Sequence, residues 1–100
     1  DRPHPFVYFL TIHNDGNERV HVQARKWVLE QADGIRHVVE GEGVVGQRPE
    51  ILPDGTFSYN SYHVVKEDSK AEGAFLVETP SKELAYVPIP EFELSIPRWA

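Results

Sequence analysis

Three Asp-Gly steps, Asp15-Gly16, Asp33-Gly34 and Asp54-Gly55, cut the chain into short segments rich in aromatic and β-branched residues. Asp-Gly suits tight turns because Gly reaches positive φ at little cost and Asp hydrogen-bonds its own backbone. Between the turns the apolar residues recur at period two. Phe6, Tyr8, Leu10 and Ile12 share one face of an extended segment, and Phe57 and Tyr59 alternate with Ser58 and Asn60. No window carries a sustained 3.6-residue apolar repeat. This pattern predicts strands over Phe6–His13, Arg19–Gln31, Ile35–Glu40, Thr56–Tyr62, Gly73–Glu78, Leu84–Ile89 and Glu91–Ile96. Asn14–Asn17 reads as a hairpin turn, and the polar stretch Val64–Glu72 as a loop. In the second strand the apolar phase slips between Ala24 and Trp27, which predicts a β-bulge near Arg25-Lys26. Pro88 and Pro90 cannot donate to a ladder, so their segment belongs on an edge or at a bend. Strands at this spacing give an all-β chain, a sandwich of about seven antiparallel strands. One hundred residues suffice for a single domain with a real core, residues 1–100, without linker or repeat.

Composition narrows the function classes. The formal charge is −6, and the deficit sits in the second half: residues 1–40 carry six acids and five bases, residues 41–100 ten acids and five bases. Arg25-Lys26 is the only adjacent basic pair in the chain. Nucleic-acid binding draws most of its affinity from clustered Lys and Arg, so no nucleic-acid partner is expected. The longest apolar run, Phe6–Leu10, is far short of the ~20 residues that span a bilayer, so no membrane partner is expected either. No signal peptide heads the sequence, and a cytoplasmic location is the expectation. The absence of Cys excludes a disulfide scaffold and Cys-based metal or redox chemistry. The chain carries no Met, which reads as a processed or trimmed start.

Few residues form a chemical constellation. If the first hairpin turns on Asp15-Gly16, His13 lies opposite Glu18 and His21 opposite Leu10, which gives the histidines no shared metal geometry. Ser61 and His63 share a strand face without a nucleophile elbow or oxyanion loop. Glu91 and Glu93 read as a solvated face, Trp27 as an anchor between sheets, and Trp99 as either a cover for the core's end or a frayed terminus. No catalytic residue, metal ligand or cofactor is assigned.

The feature that stands apart is Gly41-Glu42-Gly43-Val44-Val45-Gly46. It matches the string G-x-G-x-x-G, which in dinucleotide-binding folds follows a strand and opens a helix. A strand precedes it here, but Gln47-Arg48-Pro49 follows, and the residue before Pro is pushed away from helix. Glu40 and Glu42 also bring negative charge where a phosphate would sit. A tight loop between sheets is the simpler reading. An anion-binding nest of backbone N–H groups is the sharper one, with Arg48 and Arg25 as its nearest cations.

The same loop, followed by Pro49, resembles the signature of ApaG domains. Arg25-Lys26-Trp27 is similar to the family's Arg-His-Trp, and Phe57-Ser58-Tyr59-Asn60-Ser61 to its Phe-x-Tyr-x-Ser strand. Glu72-Gly73-Ala74-Phe75 and Ile89-Pro90-Glu91-Phe92-Glu93-Leu94 resemble two further segments in the same order. The resemblance runs from about Phe6 to Leu94. It implies an immunoglobulin-like or fibronectin-type-III-like sandwich with no established catalytic residues. It also implies links to diadenosine tetraphosphate hydrolysis and to cobalt and magnesium handling, and use as a partner-binding module in larger proteins. Lys26 stands where the family has His. Family members usually begin with a strand ahead of the segment that aligns with Phe6–Ile12, and that strand has no counterpart here, so a sheet edge is expected to lie open.

Two functional expectations follow. The first is a non-enzymatic module that binds an unknown protein partner through the glycine-loop face, with Gly41, Gly43, Gly46, Arg48 and Arg25 as the site. The second is a sensor of phosphate, pyrophosphate or a dinucleoside polyphosphate, tied to divalent cation (Co/Mg) homeostasis. Either is compatible with a homodimer through the open edge.

Overall fold

The computed structural model describes residues 3–97. Among them the chain forms seven strands and no helix: β1 (His4–His13), β2 (Val20–Gln31), β3 (Arg36–Glu42), β4 (Glu50–Ile51), β5 (Thr56–Val65), β6 (Ser69–Glu78) and β7 (Leu84–Leu94). All pairings are antiparallel. β1 and β5 make one sheet. β3, β2, β6 and β7 lie side by side in the other, with β4 paired to the start of β2. The two sheets pack face to face, as the period-two pattern of two half-buried layers requires.

The core is the set of side chains pointed into the space between the sheets. Trp27, Leu29 and Val22 from β2 and Ala71, Phe75 and Val77 from β6 are buried there, with Ile89 and Leu94 from β7. Phe6, Tyr8 and Leu10 from β1 and Phe57 and Tyr59 from β5 pack against them. Trp27, 1% exposed, is the largest fully buried side chain. Its ring meets His63 at 4.6 Å, Tyr8 at 5.1 Å and Phe92 at 5.8 Å between centroids. These tilted and edge-on contacts suit the quadrupoles of aromatic rings. The anchor role expected for Trp27 is therefore met. Trp99 lies outside the described residues.

Four expectations are corrected. The chain between β1 and β2 is a crossing between sheets, not a hairpin: β1 pairs with β5, from His4↔Val65 to His13↔Thr56. Asn14 decides this. Buried at the crossing, its side chain donates to the carbonyls of Glu18 (2.7 Å) and Ile51 (2.9 Å) and accepts from the N–H of Gly16 at 3.0 Å. The predicted partners of His13 and His21 therefore do not hold, and His21 pairs with Glu50 and Glu78 instead. Second, the bulge in β2 falls at Gln23, where the register with β6 slips between Val22 and Ala24. Third, Val64–Glu72 is not a loop: β5 runs to Val65 and β6 begins at Ser69. Ser69 and Ala71 both point inward and are buried. Fourth, the last two predicted strands are one, β7, whose register with β6 slips between Phe92 and Ile89. β7 is an edge strand, where Pro88 and Pro90 are tolerated.

The sheets differ in width. Five strands face two, so the flanks of the wider sheet are left uncovered. Val39 on β3 and Val87 on β7 share register rows with buried Trp27 and Phe75 yet stay exposed.

Candidate functional site

The glycine loop is a small hairpin attached to the end of β3. Val44 and Gln47 bond each other reciprocally, N to O at 2.7 and 2.9 Å. The two residues between them, Val45 and Gly46, both have positive φ, 44° and 78°. That pairing is the signature of a type I′ turn, whose twist matches its flanking strands. Gly46 has open space around its Cβ position, so its backbone angle alone calls for glycine. Gly43, at φ 64°, is more constrained: a Cβ there would overlap the carbonyl oxygen of Gln47. Val45 is the exception. It is β-branched, sits in the left-handed region where side chains clash with backbone, and is 46% exposed.

Three attachments hold the loop. The N–H of Gly43 donates to the carbonyl of the bulged Gln23 at 2.7 Å. Arg25 reaches across from β2 and donates to the carbonyls of Glu42 (3.0 Å) and Gly43 (3.2 Å). Its guanidinium lies directly over Gly41, where any Cβ would come within 2.7–2.9 Å of it. On the far side Arg48 pairs with the Glu42 carboxylate at 2.7 Å, its own carbonyl meets the His21 ring at 2.8 Å, and the Pro49 carbonyl accepts from Val22 at 2.9 Å. The bulge thus has a use: it frees a carbonyl of β2 to hold the loop.

The five residues expected to form the site are brought together, with the two arginines in a different role. Arg25 and Arg48 are turned onto the loop's own acceptors. The N–H groups of Gly43, Val44 and Gln47 are spent on protein carbonyls. The face that Arg25 meets is built of carbonyl oxygens, which repel an anion.

Beside the base of the loop a groove of about 410 Å³ opens on the outer face of the wider sheet. Arg25 and Gly41 line it, with Ala24 and Ala74 as small residues between Lys26, Leu76 and Tyr86. Register explains the hollow: Ala24 stands beside Leu76, and Leu76 beside Tyr86, while Lys26, Ala74 and Pro88 form the next row. Tyr86 is 74% exposed. Glu40 and Glu42 close the groove on the β3 side, Glu40 pairing with Lys26 at 3.6 Å. The sequence reading missed Val45 and Tyr86. The available signal was a β-branched pair inside a glycine loop, where turn residues are usual.

Elsewhere, titratable groups are mostly solvated. His63 is buried against Tyr8 and Trp27, and burial pushes its imidazole below the usual histidine range. Burial pushes the Tyr59 hydroxyl well above the usual tyrosine range; Tyr8 nearby adds to the rise and Arg25 opposes it. Trp27 Nε1, Tyr59 Oη and His63 Nε2 are buried without a hydrogen-bond partner among the described residues. No three His, Asp or Glu side chains among those residues group so as to hold a metal ion. Among the described residues no helix is long and apolar enough to cross a membrane.

Comparison with known proteins agrees in sequence and in shape. A family model described as ApaG domain matches residues 1–79. Protein ApaG of Deinococcus radiodurans is 37% identical over 92 residues, covering 91% of this chain and 72% of that protein. Protein ApaG of Pectobacterium atrosepticum is 37% identical over 93 residues, covering 92% and 74%. The crystal structure of the putative ApaA protein from Bordetella pertussis superposes with a TM-score of 0.88 at 31% identity, covering 96% of this chain and 79% of that one. An X-ray structure of a structural-genomics target gives 0.90 at 29% identity, covering 98% and 75%.

Proposed function

The chain belongs to the ApaG domain family, and on that premise we propose that it is a non-enzymatic binding module whose partner is a protein. The surface is the glycine-loop tip together with the groove at its base. One observation carries the reading: Val45 is held at φ 44° with nearly half its surface in water. A β-branched residue in that conformation costs roughly 1–2 kcal/mol that glycine or asparagine would not. Local strain of this kind gathers where backbone is preorganised for a contact. The loop's three attachments keep the tip in place, so a partner that receives Val45 has little ordering entropy left to oppose it. The groove adds an apolar floor with a charged rim, the composition of a protein contact surface.

The anion-sensing alternative has less to stand on. Its two arginines already serve the loop, and three of the loop N–H groups have protein acceptors. Isothermal titration with pyrophosphate, with and without Mg²⁺, is expected to be flat, and saturable heat at submillimolar ligand would reverse the order of the two readings.

The direct test uses a photo-crosslinking residue in place of Val45 or of Tyr86, exposed to lysate of the source organism. One discrete adduct common to both positions is expected. A crosslinker at Ser58, on the other sheet, should give none. Adducts of equal pattern at all three positions would remove the reading.

A further inference from the structure

Charge divides between the two sheets as unevenly as width does. β1 and β5 carry no Asp, Glu, Lys or Arg. The strands of the wider sheet carry eight glutamates against Arg25, Lys26, Arg36 and Lys70. Of these bases Arg25 is turned onto the loop carbonyls, Lys26 pairs with Glu40, and Arg36 pairs with Glu30 at 3.5 Å. Around the groove the surplus acid has an order. Ala71, Phe75 and Val77 of β6 point inward and are buried, so the outward series on that strand is Glu72, Ala74, Leu76, Glu78. The two residues that β6 gives to the groove are thus bracketed by two carboxylates. Six residues of extended chain set those carboxylates about 20 Å apart. Among the described residues neither Glu72 nor Glu78 makes an ion pair, whereas Glu40 and Glu42 on the β3 side are countered by Lys26 and Arg48.

We propose that the occupant of the groove is a cationic protein segment, with a large apolar residue seated over Ala24 and Ala74 and Lys or Arg on both sides of it to meet Glu72 and Glu78. This rests on the binding reading above and names the partner's chemistry. The apolar part follows from the hollow itself, where two alanines lie between Lys26, Leu76 and the exposed ring of Tyr86. Charge complementarity selects the rest. An acidic segment would set like charges across the contact, and an uncharged one would leave both carboxylates unmatched. The overall charge of −6 acts in the same sense at longer range and steers a basic partner toward this face. Glu72 is exposed and Glu78 half-buried, so their pairs add selection and encounter rate more than affinity, which the apolar anchor supplies.

A displayed library of random peptides, long enough to span both carboxylates, tests this on the chain itself. Ligands are kept if they bind the wild type and are lost on Ala74→Phe, which fills the hollow without changing charge, and on Tyr86→Ala. Far-UV circular dichroism reports that these variants remain folded. The groove-dependent peptides are expected to carry Lys or Arg on both sides of a large apolar residue. Fluorescence anisotropy with one such peptide should show about a fivefold weaker dissociation constant for Glu72→Gln/Glu78→Gln, an effect that fades in high salt. Asp15→Asn/Glu67→Gln, which changes the net charge equally on connections between strands, should leave binding unchanged. Groove-dependent peptides that are acidic or uncharged overturn the proposal and leave the binding surface standing. So does a basic peptide that is indifferent to Glu72→Gln/Glu78→Gln or equally weakened by the remote pair. A library that yields no groove-dependent peptide overturns the proposal together with the surface it rests on.

Discussion

The glycine loop and the aromatic slab around Trp27 sit at opposite ends of a scale. In the loop, the N–H groups of Gly43, Val44 and Gln47 and the carbonyls of Glu42 and Gly43 all have partners at 2.7–3.2 Å although much of it is in water. In the slab, three polar side-chain atoms lie buried without a partner among the described residues. Position is set in the loop by directed bonds and in the slab by ring packing, which fixes shape without directing polar atoms. Tolerance therefore lies in different places in the two regions. The slab should answer to volume and to charge, the loop to backbone angle and to single atoms.

The largest effect expected from that contrast is at Trp27. Trp27→Ala empties the centre of the core and should cost about 3–5 kcal/mol, read as a fall in the urea midpoint with unchanged slope. Trp27→Phe should recover a large part, since ring volume is what the slab measures. If Trp27→Phe were as damaging as Trp27→Ala, the indole N–H would matter more than packing. Within the loop, Gly43→Ala must meet both the unfavourable angle and the Gln47 carbonyl, and should cost about 3 kcal/mol. Gly46→Ala meets the angle alone and should cost about 1 kcal/mol. Equal costs at the two glycines would mean that the carbonyl moves aside and the loop is softer than its bonds imply.

The smallest effect is a pH dependence in the slab. Burial lowers the folded-state pKa of His63 from its usual 6.5. The unfolded chain then takes up the proton first, so this residue costs no stability above about pH 6.5. As the pH falls below that value stability declines, and the decline ends once the folded state protonates as well. Thermal melts at pH 7.5 and pH 5 should show the loss, and His63→Phe should reduce it while keeping the ring contacts to Tyr8 and Trp27. An unchanged pH profile in that variant would place the sensitivity elsewhere.

Much of the fold was legible because alternation of large residues survives in sequence. Phe6, Tyr8, Leu10 and Ile12 announce β1, and Phe57 and Tyr59 announce β5. Where the inward residues are small, as at Ser69 and Ala71, the signal vanished and the start of β6 read as loop. Pairing was not legible at the first turn. Asp-Gly serves a crossing as well as a hairpin, and the decision rests on three hydrogen bonds of Asn14 with residues as far away as Ile51. The bulge was read two residues late because Ala24 is apolar and passed for an inward residue, whereas it lines the outer groove. At the candidate site, sequence named the residues that assemble but not their direction. Arg25 as a free cation and Arg25 as a clamp on carbonyls have the same spacing. Only the lie of the Arg25 guanidinium over Gly41 and its bonds to the Glu42 and Gly43 carbonyls separate them.

The extra residue at Gln23 behaves like a change of reading frame written in side chains. Ahead of it, even-numbered residues of β2 look inward, and after it odd-numbered ones do. Two instructions are thereby carried on one strand, and the carbonyl at the join is the peg on which the loop hangs. A designer who trimmed that residue to tidy the strand would not merely shorten it. Everything upstream of the join would be read on the wrong side of the sheet, and the loop would lose its peg in the same stroke.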